Sequence, residues 1–175
     1  MPQGWLTALD FGEWGGWLSL VDIDQAHYKF ISDRNTRLVA KTSKGLFAFQ
    51  DLSHLQFSYA DLVEVVPGPK SYSTRTVTTL HESPRAIWQD HDRFLFSTDT
   101  FISTLETDGS QRELDRFGCV PEFRSMTQCA NGDVWLGGGI ALLRIQHKGD
   151  GYAFDWFTTK TRAAKGDALV KSFAK

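Results

Sequence analysis

The sequence predicts an all-β fold assembled from antiparallel four-stranded repeat units, with a β-sandwich as the alternative, and three observations carry that expectation. Thirteen Phe, six Trp and four Tyr stand against only two Met, and large flat side chains of this kind pack well on pleated sheets. Short apolar runs of strand length alternate with turn dipeptides along most of the 175 residues, which is the pattern of antiparallel strands. One stretch of the chain also resembles another at a shift of 40 residues, as expected of an architecture built from repeated units.

In chain order, residues 5–11, 16–23 and 27–31 read as three strands. The next unit reads as four short strands over 38–41, 46–50, 55–59 and 62–66, with turns at 43–45 and 51–54. Residues 55–59, Leu-Gln-Phe-Ser-Tyr, alternate as a half-buried strand does. Pro67-Gly68-Pro69 is expected to end this unit, because neither proline can donate to a ladder. A third unit follows at 84–89, 93–97, 100–106 and 111–117, with turns at 90–92 and at Asp108-Gly109. The fourth covers 123–129, 133–137, 140–146 and 152–158. Its Asn131-Gly132 dipeptide predicts a two-residue hairpin with both turn positions at φ > 0, and Gly137-Gly138-Gly139 predicts a tight reversal. Residues 160–175 read as a basic tail or a short amphipathic helix carrying Ala168, Leu169, Val170 and Phe173, weakened by Gly166.

Sliding 86–117 onto 126–157 needs no gap: Phe94-Leu95-Phe96 falls on Val134-Trp135-Leu136, Ile102 on Leu142, Leu105 on Ile145 and Gly109 on Gly149. Four-stranded units recurring at this period describe propeller blades. Asn131-Gly132-Asp133-Val134-Trp135-Leu136-Gly137, followed by Ala141-Leu142-Leu143-Arg144-Ile145, resembles the blades of the sensor-type β-propellers of bacterial two-component regulators, over residues 84–158. In that family the Asn-Gly turn, the Trp of the next strand and the small residues after it recur from blade to blade. His91-Asp92-Arg93-Phe94 departs from the pattern by lacking the Gly and the Trp. The resemblance implies a propeller-like fold, small and open or partial, and no chemistry. About four units in residues 1–159 sit at the lower limit for a closed ring, so an open sheet, a sandwich and a ring completed by a second copy of the chain are all expectations.

The net charge of −2 hides an asymmetry: residues 160–175 contribute +4, leaving −6 on residues 1–159. An acidic body disfavours nucleic acid and suits basic partners. No stretch approaches the roughly 20 apolar residues of a membrane helix, and the start of the sequence lacks the basic and apolar regions of a secretory signal. The expectation is a single soluble cytoplasmic domain over 1–159, partnered by neither membrane nor nucleic acid. Cys119 and Cys129 make neither a disulfide framework nor a zinc pattern, and are expected to be buried reduced thiols.

Catalytic signals are sparse. His27, His54, His81, His91 and His147 are not spaced to share a metal and read as loop or surface residues. Asp90-His91-Asp92 has the composition of a general base or a divalent-ion site, but its position predicts a hairpin tip. Asp22 and Asp24 read as a solvated strand edge. The triple glycine lacks the Lys-Ser/Thr of a phosphate loop, Cys119 has no base that the sequence can place beside it, and no esterase, zincin or dinucleotide motif is present. Neither a metal nor a cofactor is expected. The most unusual local feature is Trp5, Phe11, Trp14 and Trp17 around Gly15-Gly16. Most of this cluster is expected to be core, with Trp14 the residue most exposed.

These observations lead to the expectation of a non-catalytic protein-binding domain, of the kind in which a bacterial immunity protein inhibits a cognate toxin. Its contacts are placed at Asp10, Glu13, Trp14, Asp90 and Asp92. The alternatives are a small-ligand sensor with a funnel lined by Trp88, Trp135 and Trp156, and a hydrolase whose site is dispersed along the sequence.

Overall fold

The computed structural model describes residues 4–22, 27–54, 57–69, 71–117, 122–139, 141–149 and 151–158. The basic tail, Asp24 and Cys119 lie outside these residues. The fold is all-β, with four antiparallel sheets. The first has three strands, β1 (Trp5–Asp10), β2 (Gly16–Asp22) and β3 (His27–Ser32), with a single 3-10 turn over Gly12–Trp14 between the first two. The other three have four strands each. They comprise β4 (Asn35–Lys41), β5 (Leu46–His54), β6 (Phe57–Pro67) and β7 (Tyr72–Leu80); β8 (Ala86–Asp90), β9 (Arg93–Ser97), β10 (Phe101–Glu106) and β11 (Gln111–Arg116); and β12 (Phe123–Gln128), β13 (Val134–Gly138), β14 (Ala141–Lys148) and β15 (Gly151–Thr158). Strands follow one another in sequence order within every sheet, so each sheet is an antiparallel meander.

The 40-residue shift carries β9 onto β13, β10 onto β14 and β11 onto β15 to within two residues at either end. The second sheet differs from its sequence reading. Residues 51–54 continue β5 instead of turning, residues 57–59 and 62–66 of the two short strands expected at 55–59 and 62–66 belong to the single long β6, and β7 is an additional strand. Its sequence, Tyr-Ser-Thr-Arg-Thr-Val-Thr-Thr-Leu, is rich in β-branched threonines, which suit a strand without contributing to an apolar pattern. Pro67 therefore ends a strand and not the unit: it pairs with Tyr72, and the Gly68 amide donates to the Ser71 carbonyl at 2.7 Å across the reversal.

The Asn131-Gly132 hairpin also forms differently. Gly132 has φ +87° while Asn131 stays at negative φ. The Gly132 amide donates to the Cys129 carbonyl and the Cys129 amide to the Asp133 carbonyl, both at 2.9 Å. Glu106, Gly109 and Ser110 repeat this scheme at 3.0 and 2.9 Å, with Gly109 at φ +91°. Each is a tight turn closed by one glycine in the left-handed region, where a Cβ is unfavourable. Gly137 and Gly138 belong to β13, so the reversal expected across the triple glycine begins only after them. Cys129 is exposed, not buried.

The described residues separate into two compact units: one contains the first two sheets with Gln89–Leu95 and Thr104–Arg112, the other Arg85–Trp88, Phe96–Ser103 and the chain from Glu113 onward. In the first, Leu18, Ala48, Val63 and Val65 form a buried cluster against which Leu6, Ile31, Val39, Leu46 and Tyr72 pack. Phe47 and Phe49 meet Phe94 edge-on at centroid distances of 6.4 and 5.0 Å. In the second, Trp156 packs 5.7 Å from both Phe117 and Phe123, while Leu136, Leu143 and Ile145 are buried.

Candidate interaction face

The first sheet has two unlike faces because side chains alternate along a strand. Leu6 pairs with Leu20, and Ala8 with Leu18; Leu18 and Leu20 are buried. The opposite set comprises Trp5, Thr7 and Leu9 on β1, Trp17, Ser19 and Val21 on β2, and Tyr28 and Phe30 on β3. It is aligned by the pairs Trp5–Val21, Leu9–Trp17, Val21–Tyr28 and Ser19–Phe30. Thr7 and Ser19 satisfy each other on this face through a 2.7 Å hydroxyl bond. Three of its aromatic members are mostly open to solvent: Trp5 is 66% exposed, Tyr28 63% and Phe30 58%, joined from the 3-10 turn and the residue before it by Trp14 at 85% and Phe11 at 52%.

The rings form a connected row. Trp17, half-buried, meets Phe11 at 5.6 Å and Phe30 at 5.8 Å, both edge-on, and Phe30 meets Tyr28 at 5.2 Å. Edge-to-face contacts of this kind fix ring orientation. At about 200 Å² per aromatic side chain, the five exposed rings present on the order of 600 Å². Exposed apolar area marks interaction sites where it is contiguous, and here Phe11, Phe30 and Tyr28 are joined through Trp17. The expectation that the Trp5, Phe11, Trp14 and Trp17 cluster is mostly core is thus corrected. Only Trp17 is substantially covered, because it is flanked by rings on both sides.

The 3-10 turn that carries Trp14 is anchored from below. Asp10 accepts from the Gly12 amide at 2.7 Å and forms an ion pair with Arg37, 3.1 Å from its Nε, and Asn35 Nδ2 donates to the Gly12 carbonyl. Arg37 also donates to the buried Asp51 at 2.6 Å and to the Pro84 carbonyl at 3.1 Å, and Asp51 accepts from the Ser83 hydroxyl. A rigid base beneath an exposed tryptophan lowers the ordering cost of using it in recognition.

Of the residues expected to contact a partner, Glu13 and Trp14 stand exposed on this turn, whereas the Asp10 carboxylate is engaged beneath it. Asp90 ends β8 and Asp92 lies on the turn into β9, with His91 between them at φ +58°. Asp90 takes 2.9 Å and 3.0 Å contacts from Arg93 and His91. Asp92 accepts from the Ser43 hydroxyl and, at 2.7 Å, from the Ser43 amide. Those bonds, with Lys44 and His91 nearby, hold the Asp92 carboxyl below its ordinary range. Asp90-His91-Asp92 is the hairpin tip that the sequence predicts.

An open cleft of about 690 Å³ in the first unit is lined by Lys44, Phe47, Glu64, Arg75, Asp92 and Asp108 among others. Arg75 Nε donates to Glu64 at 3.1 Å, Ser43 holds Asp92, and Ser110 donates to Asp108 through its amide at 2.8 Å and its hydroxyl at 2.7 Å. Glu64, Asp92 and Asp108 are thus engaged within the fold. Trp135 pairs with Arg144, and Trp156 with Leu143, so the two tryptophans stand on opposite faces of the fourth sheet and do not line one funnel. Among the described residues, no three His, Cys, Asp or Glu side chains converge as metal ligands, and His27, His81, His91 and His147 are exposed.

Tyr28 and Phe30 are the members of the face that sequence reasoning missed. The available signal was their i, i+2 spacing next to the tryptophan cluster. Compared with protein-family models and with curated proteins, the sequence matches neither a family model nor a curated protein.

Proposed function

We propose that this chain is a non-catalytic protein-binding domain whose interface is the outer face of the first sheet. The observation that carries the reading is the exposure of five aromatic rings, each more than half open to solvent, on the outer face of the first sheet and the turn beside it. Aromatic anchors held on rigid elements dominate interface energetics, and the acidic charge of residues 1–159 suits a basic partner. An inhibitor that occludes a basic enzyme, as an immunity protein does its toxin, fits this combination of apolar anchor and acidic surround.

The test is affinity capture from the source cells with the wild-type chain and with a Trp14→Ala/Phe30→Ser variant. The expected outcome is one stoichiometric basic enzyme, inhibited by the wild-type chain and lost with the variant, whose urea midpoint stays close to wild type. Equal capture by both proteins, or a captured enzyme that remains fully active, would overturn the reading.

A further inference from the structure

The turn between β10 and β11 and the turn between β12 and β13 share one backbone scheme and differ in the side chains at two positions. Asp108 and Asn131 each precede the closing glycine, and Ser110 and Asp133 each follow it. In the first of these turns the Asp108 carboxylate accepts from the Ser110 amide at 2.8 Å and from the Ser110 hydroxyl at 2.7 Å. In the second, the residue after the glycine is itself a carboxylate, and position 131 carries an amide. Asn131 Oδ1 accepts from the Asp133 amide at 3.2 Å, while Asn131 Nδ2 donates to Asp133 Oδ2 at 2.9 Å. A carboxylate at position 131 accepts the first bond but has no donor for the second. It sets like charges against each other at the buried Asp133, which also holds Arg144 and Gln146.

Asn131 is exposed, and the residue after it has no Cβ to hinder attack by its own amide nitrogen. We infer that Asn131 is a site of spontaneous deamidation, gated by opening of the turn, and that the product releases the hold on Asp133. The Gly132 nitrogen, its proton passed to hydroxide, bonds to Asn131 Cγ; the Cγ–Nδ2 bond breaks and ammonia leaves. Water then opens the resulting succinimide at either carbonyl, which gives aspartate or isoaspartate at position 131. In the closed turn the attacking amide is engaged, since Gly132 donates to the Cys129 carbonyl at 2.9 Å. Both ends of the Asn131 side-chain amide are tied to Asp133. Reaction therefore follows local opening, and the modified turn closes without its donor, so the change runs one way.

The experiment incubates the full chain at mildly alkaline pH, with and without urea, and follows the replacement of amide by carboxylate at position 131 by peptide mass mapping. The folded chain is expected to react about tenfold to a hundredfold more slowly than the unfolded one, as the hydrogen bonds lost on opening require. The modified fraction, separated by its added negative charge, unfolds at a lower urea midpoint than the unmodified chain. Asn131→Asp shows the same loss. That loss disappears on an Asp133→Ser background, where the pair matches Asp108 and Ser110. Three results overturn the inference. The folded and unfolded chains react equally fast; the folded chain reacts more than about a thousandfold more slowly, which confines the reaction to the globally unfolded chain; or Asn131→Asp lowers the midpoint as much with Asp133 replaced by serine as without.

Discussion

At the residue scale, buried or half-buried carboxylates are held by paired cations and polar side chains. Asp133 accepts from Arg144 at 2.7 Å, from Asn131 at 2.9 Å and from Gln146 at 3.4 Å. Burial pushes its carboxyl upward, but these partners together outweigh burial and leave it lowered. A carboxyl whose folded value lies below the unfolded one, about 3.9, contributes stability that is fully present above that value. The contribution is lost as pH falls through the folded value. Urea midpoints of the wild type measured from neutral pH to about pH 2 should therefore fall more steeply than those of Asp133→Asn. Parallel curves would show that the Arg144 pair contributes nothing. Arg37 is a sharper case, because Asp51 is almost wholly buried beside it. Arg37→Ala should cost about 3–5 kcal/mol, since it leaves a buried carboxylate without its cation. Adding Asp51→Ala should recover part of that loss in a double-mutant cycle.

At the scale of the element, alternation in the first sheet separates stability from recognition. Leu18 is fully buried with Ala48, Val63 and Val65, so Leu18→Ala should destabilise by about 2.5–5 kcal/mol. Phe30→Ser on the opposite face should change the denaturation midpoint little while weakening partner capture; a comparable loss of stability from both variants would mean that the aromatic face is core. The hairpin turns offer a backbone test. A Cβ on Gly132 meets nothing within 4 Å, so any cost of Gly132→Ala comes from φ +87° alone. It should be about 1–2 kcal/mol, and Gly132→Asn should cost less, because Asn tolerates the left-handed region. Thermal denaturation of the two variants decides it.

At the scale of the whole molecule, the acidic charge of residues 1–159 predicts that association with a basic partner slows as salt is added, with a smaller effect on dissociation. Stopped-flow rates at increasing ionic strength test this, and a salt-independent association rate would remove electrostatics from the recognition. The all-β class, the four successive sheets and the positions of most turns were legible in the sequence because strand length, alternation and turn glycines are local properties. So was the 40-residue repeat, since repeated units conserve their apolar spacing. β7 was not legible, because threonines supply strand preference without hydrophobicity. The extent of β6 was also hidden, because a long strand paired along its whole length does not mark its own middle. The register of the first sheet puts Trp5 and Leu9 on one face, and Leu6 and Ala8 on the other. Which face is covered depends on what packs against it, and residues far along the chain supply that packing: Ala48, Val63 and Val65 lie against Leu18, while the rings from Trp5 to Phe30 remain exposed. Tertiary structure alone therefore turned an aromatic cluster expected to be core into the surface on which the proposed function rests, since burial is set by contacts between distant segments and not by any run of neighbouring residues.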